Sequence, residues 1–218
     1  MEKIIKINGL NFEFFREGKG RDILFIHGLN SNYGLFKKII LKLSKNYKCW
    51  ALNLPKYGKC KVEDYVEILK QFIKLKNIQK PFLIGHSLGG IICLKLIEDK
   101  INYSGLATIC TPLIEKAPRV TIMLLDLFNM LIKKGIFKSY LDGFNDVTNG
   151  IIKAPKIKIE KPFLVIYGKY DLIVKLSKGE AYEIFKPKKI VYGNFGHLAP
   201  LTHPENISII LKEFLNIS

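Results

Sequence analysis

A chain of 218 residues, 48% of them hydrophobic, falls within the range of a single large domain with a sizeable core. Its formal net charge of +16 raises the question of a polyanionic partner, yet Arg16, Arg21 and Arg119 supply its only guanidinium groups, and the lysines are spread from Lys3 to Lys212. That dispersal reads as a solvated surface and excludes a concentrated phosphate-reading face, so no nucleic-acid partner is expected.

In chain order, the start reads as a strand, because Lys6, Asn8 and Gly9 break the apolar run that an export signal would need. Further strands are expected at Phe12–Arg16, Ile23–Ile26, Cys49–Leu52, Phe82–Ile84, Gly105–Ile109, Phe163–Tyr167 and Lys189–Tyr192. Nearly all are continuous apolar runs, the pattern of strands buried on both faces. Segments of helical period alternate with them at Tyr33–Leu43, Val62–Lys76, Leu88–Asp99, Lys175–Phe185 and Glu205–Leu215. The alternation predicts an α/β fold with a mostly parallel central sheet and helices on both faces.

One segment departs from this rhythm. Residues 111–160, opened by Thr111-Pro112 and closed by Glu160-Lys161-Pro162, hold no strand pattern and are expected to form a small helical insertion within a single domain spanning 1–218. Their strongest helix, about Val120 to Lys133, is apolar on nearly every face. Either it is buried in the domain, or residues such as Leu124 and Phe128 face a substrate pocket from a lid. Val120 to Met130 contains Asp126 and Asn129 and is well short of the roughly 20 residues that cross a bilayer, so no integral membrane segment is expected.

The cysteines Cys49, Cys60, Cys93 and Cys110 show neither CxxC spacing nor metal-ligand spacing to histidine, which suggests reduced, mostly buried thiols in a cytoplasmic protein. Neither a P-loop nor a dinucleotide fingerprint occurs, so no cofactor and no metal are expected.

The chemistry concentrates at Gly85-His86-Ser87-Leu88-Gly89-Gly90, a G-x-S-x-G between a predicted strand and a predicted helix. A serine on so tight a turn needs glycines two residues before and after it, where a Cβ would clash. The Leu88 N–H at the helix start and the Leu29 N–H, after His27-Gly28, are candidate oxyanion donors.

Serine needs a base, and four histidines are available. His27 and His86 read as structural, with the His86 side chain expected on the opposite side of the strand end from the nucleophile, and His203 as a surface or capping residue. His197 follows the last strand, where a loop can fold back over the sheet edge, and is the candidate base. Asp171, in the loop after Phe163–Tyr167, is the candidate carboxylate that orients it, in the chain order Ser87, Asp171, His197.

His27-Gly28-Leu29, Asn53-Leu54-Pro55-Lys56-Tyr57-Gly58, Gly85 to Gly90, Gly168-Lys169-Tyr170-Asp171 and Gly196-His197 together make the chain resemble the α/β-hydrolase superfamily over nearly its whole length. It is similar to the small esterase and monoacylglycerol-lipase-like members, although Asn53 and Lys56 stand where those more often have Asp and Gly. The resemblance implies the α/β-hydrolase fold with 111–160 as a cap. It also implies a serine hydrolase that cleaves a small-molecule carboxylic ester, and the Leu, Ile, Met and Phe content of 111–160 suggests an apolar acyl chain or alcohol. Thioester hydrolysis, carbon–carbon bond hydrolysis and aminopeptidase activity suit the same triad, and a non-catalytic binding module is the alternative from another class.

Overall fold

The computed structural model describes residues 2–56, 61–113, 154–155, 157–174 and 185–216. Strands β1 (Glu2–Ile7) and β2 (Leu10–Glu17) form an antiparallel hairpin through Asn8 and Gly9, whose φ values of 50° and 82° suit a two-residue turn. β1 alternates between exposed residues and the buried Ile5 and Ile7, so one face meets solvent.

β2 also pairs antiparallel with β4 (Tyr47–Leu52), and every later pairing is parallel. With β3 (Arg21–Ile26), β5 (Phe82–His86), β6 (Gly105–Ile109), β7 (Phe163–Gly168) and β8 (Lys189–Gly193), the sheet has eight strands in the order β1-β2-β4-β3-β5-β6-β7-β8. The mostly parallel sheet expected from the sequence is therefore present, with an antiparallel edge contributed by the hairpin.

The continuous apolar runs are continuous because each strand feeds two cores. In β3, Leu24 and Ile26 join a cluster with Leu69, Phe72 and Ile92, whereas Ile23 and Phe25 join Ile39, Ile40, Leu211 and Phe214 on the other face. The first face is covered by α2 (Val62–Leu75) and α3 (Leu88–Glu98), the second by α1 (Lys37–Leu43) and α5 (Pro204–Asn216). Each fully buried Leu, Ile or Phe contributes about 1.5–3 kcal/mol. β8 departs from double burial, being half-exposed throughout because it is the sheet's last strand.

The helix expected over Tyr33–Leu43 is divided into a 3₁₀ turn, Tyr33–Phe36, and α1. Asn32 accepts from the Gly34 amide at 2.8 Å, and Asn53 Oδ1 accepts from the Tyr33 amide at 2.8 Å, which holds the entry to the turn. A further short helix, α4 (Ala199–Thr202), precedes α5. The expected helices Val120–Lys133 and, except for Phe185, Lys175–Phe185 lie outside the described residues, as do Leu124, Phe128 and most of the 111–160 insertion. Among the described residues, no helix is long and apolar enough to cross a membrane.

Candidate active site

The parallel strands all end at one edge of the sheet, and the loops leaving β3, β5, β6, β7 and β8 meet there. β5 turns into α3 within one residue, Ser87, whose φ of 53° and ψ of −123° lie in a region that L side chains rarely adopt. The turn is tight enough that a Cβ on Gly85 would lie 2.5 Å from the Gly89 backbone, and one on Gly89 would lie 2.1 Å from the Ile26 carbonyl oxygen. Glycine at both positions is therefore a steric requirement of the elbow.

Two loop side chains converge over it. His197 Nε2 lies 3.1 Å from Ser87 Oγ, and His197 Nδ1 donates to Asp171 Oδ2 at 2.9 Å. The carboxylate at that Nδ1 selects the tautomer in which Nε2 is free to accept the serine proton. Asp171 Oδ1 is held in turn by the amides of Ile173 at 2.9 Å and Val174 at 2.8 Å. Burial raises the Asp171 pKa, but the His197 hydrogen bond and charge, with the Val174 and Ile173 amides, outweigh it and keep the carboxyl below its ordinary value.

The loop carrying His197 is clamped along three successive carbonyls. Phe195 O accepts from the Tyr170 amide at 3.1 Å, Gly196 O from the Cys110 thiol at 3.8 Å, and His197 O from His86 Nε2 at 2.8 Å. Each donor comes from a different strand end: the loop after β7, the end of β6 and the elbow itself. Sequence reasoning gave His86 and Cys110 no part in the site, and the structure puts both against it. His86 does not point to the far side of the strand end; its ring centroid lies 5.0 Å from that of His197. Position offered a signal for Cys110, which directly follows β6 as Ser87 follows β5.

Cys110 Sγ, Asp171 and His197 place their polar atoms within 4.8 Å of one another, the spacing of a three-ligand metal site. Their chemistry fits a hydrogen-bonded cluster better. Burial, and then the Asp171 charge, push the Cys110 thiol far up, which favours the thiol that donates to Gly196 O, and His197 Nδ1 is committed to Asp171.

The candidate oxyanion donors flank Ser87. Leu88 is the first residue of α3, where an amide has no partner one turn back. A Cβ on Gly28 would lie 3.1 Å from Ser87 Cβ, so the loop carrying Leu29 rests directly on the elbow. His27 fixes that loop through Nδ1 to Gly28 O at 2.8 Å and Nε2 accepting from the Leu54 amide at 3.0 Å. His203 lies at the end of α4, with its Nδ1 2.9 Å from Thr202 Oγ1.

Burial makes two of these histidines acid-sensitive. Desolvation pushes His27 down to about 4 from 6.5, although its Gly28 contact opposes the shift. Desolvation and then the His197 charge push His86 down to about 3. Unfolded, each takes up a proton near 6.5, so between that pH and its folded value the unfolded state binds more protons and stability falls as pH falls. Each histidine should cost up to about 1.4 kcal/mol per pH unit on that limb. The urea midpoint is accordingly expected to drop clearly between pH 7 and pH 4.5, and an unchanged midpoint would contradict the buried, neutral state of both rings.

Comparison with known proteins agrees with this architecture. Residues 23–146, more than half of the chain, match the family model for the alpha/beta hydrolase fold. The chain is 24% identical to the uncharacterized hydrolase YugF of Bacillus subtilis over 96% of both sequences. It is 34% identical to a protein of Mycoplasma pneumoniae provisionally named esterase/lipase 2, over 38% of this chain and 34% of that one, so the matched stretch spans only about a third of that relative. Its structure superposes on a thermophilic esterase from Thermogutta terrifontis with a TM-score of 0.72 at 18% identity, covering 99% of this chain and 98% of the other. The eight-stranded sheet, the serine at its β5 elbow and the matching family model together establish that the chain belongs to the α/β hydrolase fold family.

Proposed function

We propose that the protein is a serine hydrolase that cleaves carboxylic esters with a small or medium apolar acyl chain. The observation that carries this reading is the unbroken relay from Ser87 Oγ to His197 Nε2, at 3.1 Å, and from His197 Nδ1 to Asp171, at 2.9 Å. In this reading His197 takes the serine proton as Oγ attacks the acyl carbonyl. The Leu29 and Leu88 amides stabilise the oxyanion, and His197 returns the proton to the leaving alcohol. Water then repeats the cycle on the acyl-enzyme. The esterase names among the relatives favour esters over the other bonds that such a triad can break.

The insertion at 111–160 is proposed as the cap, with Leu124 and Phe128 facing the acyl chain. If so, each buried methylene should improve binding by about 0.8 kcal/mol until the pocket is full. Turnover of p-nitrophenyl esters of graded length tests both points. Specificity is expected to rise with acyl length and then break, and a polar residue at 124 or 128 should flatten the rise while acetate turnover stays nearly constant. A protein that turns over none of these esters and takes no fluorophosphonate at Ser87 is not a serine esterase. Loss of all activity together with cooperative unfolding in the two variants would make 120–133 core and not lid.

A further inference from the structure

His86 is a buried imidazole, 3% exposed, that the proposed proton relay does not use. Its Nε2 donates to the main-chain carbonyl of His197 at 2.8 Å, and the two rings are tilted by 56°. Among the described residues its Nδ1 is buried without a hydrogen-bond partner, and it faces the Gly28 loop, where an added Cβ would come within 2.9 Å. An orphaned buried acceptor destabilises a fold, and an apolar ring of similar size would remove it, so its presence calls for a compensating role.

We propose that His86 is a positioning residue, which sets the place of His197 over Ser87 by holding the base's own backbone carbonyl. The inference rests on the hydrolase reading above. Ser87 and His86 are consecutive, so the bond to His197 O ties the base directly to the nucleophile's peptide, across 111 residues of sequence. The Asp171 bond orients the ring about Nδ1, and the His86 bond fixes the backbone from which that ring hangs.

The arrangement also demands a neutral His86. Among the described residues, the titratable groups that face it are His197, Asp171 and His27. A cation there would repel the imidazolium that His197 becomes during catalysis, and burial opposes that cation. The neutral tautomer must carry its proton on Nε2, because that nitrogen meets a carbonyl oxygen.

The test uses His86→Phe, which keeps an apolar ring but loses the donor, and His86→Gln, whose amide nitrogen reaches toward the same carbonyl. Melting temperature, kcat, KM and the fluorophosphonate labelling rate are measured for each. The expected result for His86→Phe is an unchanged or raised melting temperature, with kcat and labelling rate about 10- to 100-fold lower and KM unchanged. His86→Gln should recover most of the lost kcat. A His86→Phe protein with kcat within twofold of wild type, or with altered KM alone, overturns the proposal.

If His86→Phe does not fold, nitrogen NMR of the wild-type imidazoles decides. His86 is expected to stay neutral with its proton on Nε2 from pH 5 to 8, and a protonated ring or an Nδ1–H tautomer overturns the proposal. A wild-type protein inert to both ester and fluorophosphonate would instead fail the hydrolase reading, while the NMR result would still report on the His86 bond.

Discussion

Replacing Ser87 with alanine is expected to lower ester turnover by about 10⁵- to 10⁶-fold and to abolish fluorophosphonate labelling, with little change in stability. In the proposed mechanism the loss is that large because the oxyanion donors and the pocket would act on a carbonyl that no longer meets a nucleophile. The fold should persist because alanine retains the Cβ and the same strained φ of 53°. Glycine at the same position separates strain from chemistry. Relief of an unfavourable backbone, worth about 1–3 kcal/mol, should raise the melting temperature while turnover stays lost. Mass spectrometry of the labelled wild-type protein should place the adduct on Ser87. An adduct on Ser31, Ser104 or Ser177 would transfer the nucleophile's role and leave the relay without its first member.

Much of the sheet is legible in the sequence because burial on two faces leaves a distinctive run. Ile23–Ile26 and Gly105–Ile109 have no polar position to lose, apart from Thr108, and each lies within or coincides with its observed strand. The antiparallel edge is written less plainly. Asn8 and Gly9 read as an interruption of an apolar run, whereas they are the hairpin turn that brings β2 back along β1. The division of the helix after Ser31 depends on Asn53, 20 residues away, whose side chain takes the Tyr33 amide. Local period cannot register such a contact.

The candidate site divides along the same line. Ser87, Asp171 and His197 each follow a strand of a parallel sheet, and strand ends of such a sheet converge, so their meeting follows from topology. His86 and Cys110 act through backbone carbonyls 111 and 86 residues away, and a carbonyl is the same in every residue type. No motif can mark the acceptor of such a bond. The Asn53 substitution is also explained by its contacts. The amide accepts from Tyr33 and donates to Glu13 Oε2 at 3.1 Å, a pairing that an aspartate would turn into repulsion between two carboxylates.

Asp171→Asn is expected to lower kcat by about 10⁴ while the protein stays folded. The two oxygens of Asp171 have separate tasks. Oδ1 organises the loop through the Ile173 and Val174 amides, and Oδ2 receives the His197 Nδ1 proton. Asparagine can keep its oxygen on the two amides, which preserves the loop. Its NH₂ group then faces His197 Nδ1 and donates to it, so the ring's remaining proton moves to Nε2, where it blocks acceptance of the Ser87 proton. The negative charge that stabilises the imidazolium is lost as well. Asp171→Ala removes the loop's acceptor in addition and should lower the melting temperature where Asp171→Asn does not. Steady-state kinetics beside thermal melts separate the two effects, since a loss of about 10⁴-fold at an unchanged melting temperature is what the proposed base role of His197 requires. Near-normal turnover in Asp171→Asn would instead give the orienting role to another carboxylate, with Asp142 and Asp146 the next to replace.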